Sequence, residues 1–89
     1  MLVVELSPRA LRDLKHVAPH QARAILNDHA ILKSPPWPGP PKVKRIQGTP
    51  YSRLRTGGFR SIFLQEGNII VVLRIVDRKD LERILKGLR

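Results

Sequence analysis

The chain has 89 residues and no cysteine, and its 17 Lys and Arg outnumber seven Asp and Glu for a net charge of +10. A chain this short folds as one domain, here 1–89, and buries only about 60% of its unfolded surface, so any site is an open face or shallow groove rather than a deep cavity. The missing thiols exclude disulfides, thiolate metal sites and cysteine nucleophiles, and the charge points to a polyanionic or acidic partner.

In chain order, Leu2 to Leu6 is apolar and β-branched and reads as a short strand. Ser7-Pro8 is a helix start, with serine as N-cap and proline in the first turn, and Ala10, Leu11 and Leu14 form the apolar stripe behind it. Pro19 interrupts, and a second helix follows with Ala22, Ile25, Leu26 and His29 at helical spacing, so the two pair as a helical hairpin. Ser34 to Pro41 holds five prolines in eight residues and reads as an extended, semi-rigid loop. Its Trp37 is expected to anchor the loop to the body, with base stacking as the other role open to it.

Strands are expected at Lys42–Gln47, Tyr51–Thr56, Phe59–Gln65 and Ile69–Val76, the last apolar enough to be buried on both faces. Gly57-Gly58 is a two-residue hairpin signal. Asp77 to Leu88 closes with a short amphipathic helix carrying Leu81, Ile84, Leu85 and Leu88. The fold class is α+β, written β-α-α-β-β-β with a short C-terminal helix, in which the helical hairpin covers a twisted antiparallel sheet.

The N-terminus lacks the pattern of a signal peptide, and the longest apolar run, Ile69 to Leu73, is too short to span a bilayer. A soluble, cytoplasmic protein with no membrane partner is therefore expected. No motif for a metal, a nucleotide loop or a serine nucleophile is present, so no metal and no cofactor are expected. His16 and His20 could share a metal only if the helix ran unbroken through Pro19. Asp77, Asp80 and Glu82 are interleaved with Arg78, Lys79 and Arg83 and read as a solvated helix face with local ion pairs.

The basic residues are more informative. No acid falls between His29 and Gln65, a window holding Lys33, Lys42, Lys44, Arg45, Arg53, Arg55 and Arg60. Arg53 and Arg55 are two apart on a strand and share a face. The diglycine turn returns the chain, Arg60 begins the partner strand, and Arg78 ends the next one. Guanidinium groups on three neighbouring strands suit phosphate, because the planar fork makes two parallel hydrogen bonds and keeps its charge.

The run from Tyr51 through Arg53, Arg55, Gly57-Gly58 and Arg60 to Phe63 resembles the pattern YRLRVGDYRVIY of the RelE/ParE toxins of type II toxin–antitoxin pairs. The opening Leu6-Ser7-Pro8 segment and the ending Ile75-Val76-Asp77-Arg78-Lys79-Asp80-Leu81 resemble the same family's start and close. The resemblance implies a microbial-RNase-like α+β fold, a cognate antitoxin as partner, and in the RelE branch cleavage of messenger RNA on the ribosome, with rRNA contacts. There the RNA's own 2′-OH attacks the adjacent phosphate and basic side chains stabilise the charge that develops. Arg60 and Arg78 match the family's arginines after the hairpin and after the last strand, and Arg53 matches a basic position in the second strand of the meander. With Glu82 these form the expected catalytic set, and Lys42, Lys44, Arg45, Arg55, Arg74 and Lys79 the expected RNA-binding set. Asp77 stands where many relatives have histidine, and Glu82 where they close with tyrosine. Glu82 could serve as general base. The ParE branch, whose target is DNA gyrase and which has no nuclease role, and a non-catalytic or decayed RNA-binding homologue are the alternatives.

Overall fold

The computed structural model describes residues 1–88. Strand β1 (Val3–Leu6) leads into helices α1 (Pro8–Lys15) and α2 (Pro19–His29), the latter continued by a 3-10 turn at Ala30–Lys33. Strands β2 (Val43–Arg45), β3 (Ser52–Thr56), β4 (Phe59–Glu66) and β5 (Ile69–Asp77) follow, then a 3-10 turn at Arg78–Asp80 and helix α3 (Leu81–Gly87). The sheet order is β1-β5-β4-β3-β2. The strands from β2 to β5 form the expected antiparallel meander. They number four, one more after the helical pair than the shorthand β-α-α-β-β-β counts, and β2 is shorter than the expected Lys42–Gln47. β1 joins the sheet in parallel beside β5, with Val4 opposite Ile70 and Leu6 opposite Val72.

The local reasons are those the sequence offers. Ser7 caps α1, its hydroxyl accepting from the Ala10 amide at 3.0 Å, with Pro8 in the first turn. The chain leaves the helix at His16 and re-enters at Pro19, which breaks the frame that would pair His16 with His20. Gly57 turns the β3–β4 hairpin at φ +58°, a conformation costly for any residue with a Cβ.

One face of the sheet packs under α1 and α2. Val43, Leu54, Phe63, Ile70, Val72 and Ile75 form this core with Ala10, Ile25 and Leu32. Trp37 is the expected anchor: its indole N–H donates to the Leu32 carbonyl at 3.0 Å, and its ring meets Phe63 edge-on at 5.4 Å. β5 is central but not buried evenly on both faces. Ile70, Val72, Ile75 and Val76 are buried, while Ile69, Val71 and Leu73 are half-buried. Its register shifts opposite Ile62 and Phe63, leaving Leu73 as an extra residue.

The second face carries the basic strands. α3 lies along it, tied by the Tyr51 hydroxyl, which donates to the Leu88 carbonyl at 3.0 Å. Leu81, Ile84, Leu85 and Leu88 are half-buried, which is the expected amphipathic pattern, while Glu82, Arg83 and Lys86 are exposed. Arg83 reaches Asp80 at 3.4 Å, one of the local ion pairs expected of this segment.

Candidate nucleic-acid interface

The strand register assembles the site. Arg55 sits opposite Arg60, and Lys44 opposite Arg53. Arg53 and Arg55 share a face by alternation, so Lys44, Arg53, Arg55 and Arg60 occupy the sheet face turned away from the helical hairpin. The diglycine turn holds their ends. The Gly57 carbonyl accepts from Arg60 Nη1 at 3.1 Å and from Arg55 Nε at 3.4 Å, and the Phe59 carbonyl accepts from Arg60 Nη1 at 3.0 Å. The Gly58 carbonyl accepts from the backbone amide of Arg78 at 2.9 Å, which fixes Arg78 beside the turn. Arg53 Nη1 donates to the Pro41 carbonyl at 3.3 Å.

Arg60 is the centre. It is only 9% exposed, and its hydrogen bonds run to backbone carbonyls rather than to a carboxylate. Burial, then the charges of Arg53, Arg55 and Arg78, push its pKa below the ordinary guanidinium value, and Asp77 opposes them. An arginine side chain does not lose its proton in the physiological range. The strain is therefore electrostatic, and an anion placed among these guanidiniums relieves it.

Two of the expected cations are spent elsewhere. Arg74 does not face this surface freely. Its Nε and Nη2 donate to the two Asp13 carboxylate oxygens at 2.8 and 3.1 Å, and both side chains are 15% exposed. Lys42 pairs with Asp28 of α2, whose carboxylate also accepts from the Thr56 hydroxyl at 2.7 Å. Burial raises the Asp28 pKa, but the bonds from Lys42 and Thr56 and the nearby positive charges outweigh it and leave it below the usual 3.8. Arg45 lies opposite Ser52, in the row that also holds Phe63, so its register puts it on the other face of the sheet from Arg53. Lys79 and Arg78 are exposed at the start of the last 3-10 turn, where the Asp77 carboxylate accepts from the Lys79 amide at 3.1 Å. Glu82 lines a groove with Lys44, Arg53, Leu81 and Leu85, at the α3 border of the arginine face. Among the described residues no group of three His, Cys, Asp or Glu side chains gathers as a metal site.

Sequence reasoning missed the role of the turn carbonyls. The diglycine signal was present, but which carbonyls it would aim at the arginines depends on turn geometry that composition does not carry.

Behind the sheet, His29 is 4% exposed, and a 2.8 Å hydrogen bond joins its Nε2 to the Ser61 hydroxyl, while Nδ1 has no partner among the described residues. Burial lowers its pKa below 6.5, with the Asp28 charge pulling the other way. The folded state thus refuses a proton that the unfolded chain accepts, so stability is full above pH 6.5 and falls as pH drops from there towards the folded pKa. A series of melting temperatures between about pH 5 and 8 checks this: His29→Gln should flatten the acid-side slope, and an unchanged slope would remove His29 as its source.

A helical pair on one side of an antiparallel meander is the architecture of the RelE/ParE toxin superfamily. The family model for the ParE toxin of the type II toxin–antitoxin system parDE matches residues 4–82, and the chain belongs to that family. Among solved structures, it is similar to a chain of the RelB–RelE antitoxin–toxin complex from Methanococcus jannaschii, with 25% identity, a TM-score of 0.68, and coverage of 92% of this chain and 95% of that one. The archaeal RelE–RelB complex from Pyrococcus horikoshii OT3 gives 23% identity and a TM-score of 0.71 over 86% and 94% of the two chains. YafQ from E. coli shares the fold at 16% identity, with a TM-score of 0.64 over 91% and 98%. No match is found among curated proteins. Among the described residues no helix is long and apolar enough to cross a membrane.

Proposed function

We propose that this chain is the toxin of a type II pair and cleaves messenger RNA on the translating ribosome, neutralised by a cognate antitoxin with an acidic contact segment. The observation that carries the reading is Arg60, buried without a carboxylate partner among the described residues and ringed by Arg53, Arg55 and Arg78. A phosphodiester entering this face meets fixed cations that need no reorganisation.

In the proposed reaction the 2′-oxygen attacks phosphorus as its proton passes to the Glu82 carboxylate. The bond from phosphorus to the 5′-oxygen breaks, and that oxygen leaves with a proton drawn from solvent. The products are a 2′,3′-cyclic phosphate and a free 5′-hydroxyl. Arg60 and Arg78 stabilise the extra charge on the pentavalent phosphorus, and Arg53, Lys44 and Arg55 hold the flanking backbone.

The test is to map messenger 5′ ends on translating ribosomes with and without the expressed chain. New ends confined to ribosome-bound codons are expected, and intact messages beside arrested growth would overturn the RNase reading. A second reading, inhibition of DNA gyrase, is favoured by the family model matched and by Asp77 and Glu82 at the positions where the resemblance has histidine and tyrosine. Loss of supercoiling by purified gyrase, with no RNA product, would select it.

A further inference from the structure

On the core face of the sheet, beyond the cover of the helices, lies a hollow of 370 Å3 lined by Trp37, Arg45, Ser52, Phe63 and Gln65, with Pro50 and Gly67 from two separate turns. That volume is in the range of small-molecule sites. Arg45, Ser52 and Phe63 stand in one row across three strands, and Gln65 follows two residues on from Phe63 on the same face. The Trp37 ring is held by its bond to Leu32 and its edge contact with Phe63, so the aromatic wall is rigid before any ligand arrives. Ser52 adds a hydroxyl, and Gln65 an amide whose Nε2 already donates to the Gly67 carbonyl at 3.0 Å. The one charge in the lining is cationic.

We infer that this hollow binds a single nucleotide, with the base against Trp37 and the phosphate on Arg45. A planar ring with hydrogen-bonding edges and one attached anion is the ligand that an aromatic wall, two small polar groups and one arginine recognise together. Arg45 also lines the groove that holds Lys44, Arg53 and Glu82 on the opposite face. A single RNA strand leaving the arginine face can therefore round the β2 edge at Arg45 and place its next base in the hollow. The RNA source of the ligand rests on the function proposed above, whereas nucleotide binding itself does not.

Trp37 is the sole tryptophan, so its fluorescence reads the hollow directly. Titration of the full chain with adenosine 5′-monophosphate should give saturable quenching, with adenosine binding more weakly and inorganic phosphate giving none. Arg45→Ala, an exposed position, should raise the Kd for the nucleotide about tenfold, as loss of a charge-assisted contact does. Arg60→Ala should leave the quenching intact. A short single-stranded oligoadenylate that binds more tightly than the mononucleotide identifies RNA as the source, and equal binding identifies the free nucleotide. Absence of saturable quenching, or a Kd indifferent to Arg45→Ala, would overturn the site. Quenching that Arg60→Ala abolishes would assign the binding to the arginine face instead. Because Arg60→Ala also tests cleavage, failure of the hollow and failure of the RNase reading give different results.

Discussion

Arg60→Ala should cut the rate of messenger cleavage by about two to three orders of magnitude, the cost of deleting one preorganised donor from an oxyanion site. The size of the effect follows from burial. Arg60 is desolvated and held by two carbonyls of the turn, so its charge acts on a bound phosphate through protein rather than through water. Stability should change little. The variant gives up two hydrogen bonds to backbone, about 1 kcal/mol each in net terms. It also removes the repulsion among Arg60, Arg53, Arg55 and Arg78, and the two changes oppose one another. Arg60→Lys separates charge from geometry, since it keeps the cation but loses the fork that the Gly57 and Phe59 carbonyls orient. Partial activity in Arg60→Lys, well above the residual rate of Arg60→Ala, supports the assignment. Undiminished cleavage in a folded Arg60→Ala protein would dismiss it, and a melting curve beside the kinetic assay tells the cases apart.

The parts of this site that a reader of the sequence could find are those set by short-range rules. A two-residue glycine turn fixes the register of β3 against β4, and the register alone puts Arg55 across from Arg60. The helix start at Ser7-Pro8 and the amphipathic ending were legible for the same reason. What could not be read is which cations are already neutralised. Arg74 and Asp13 are 61 residues apart, and Lys42 and Asp28 are 14 apart on different elements. Charge counting treats Arg74 and Lys42 as equal to Arg53, although among the described residues the fold gives only the former two a carboxylate. The place of β1 has the same origin. A parallel partner reached across two helices leaves no local mark, so nothing near Val3–Leu6 names Ile69–Val72 as its neighbour. The extra residue at Leu73 is equally silent, because an apolar run does not show where its alternation slips.

That slip leads to the largest stability effect expected of any single change. At the bulge, β5 has backbone groups that the ladder does not satisfy, and α1 supplies their partners. The Ser7 hydroxyl donates to the Leu73 carbonyl at 2.8 Å, and the Asp13 carboxylate accepts from the Ile75 amide at 2.9 Å as well as from the Arg74 guanidinium. Asp13→Ala therefore removes three hydrogen bonds at once and strands both a mostly buried cation and a buried amide. Breaking one side of such a pair costs on the order of 3–5 kcal/mol, a large share of the 5–15 kcal/mol that holds a small domain together. For a domain this size the melting temperature should drop by more than about 12 °C. Asp13→Asn should fall between, because its carbonyl can still accept from Ile75 while the charge pair is lost. Arg74→Met in the Asp13→Ala background should recover part of the loss by replacing the stranded cation with an apolar side chain. A melting temperature within a few degrees of the parent for Asp13→Ala would show that water or a neighbouring group satisfies the bulge instead. The clamp also bears on function. β5 runs from the bulge directly to Arg78, so a loosened Asp13 should move that guanidinium away from the diglycine turn and lower cleavage even at temperatures where the variant stays folded.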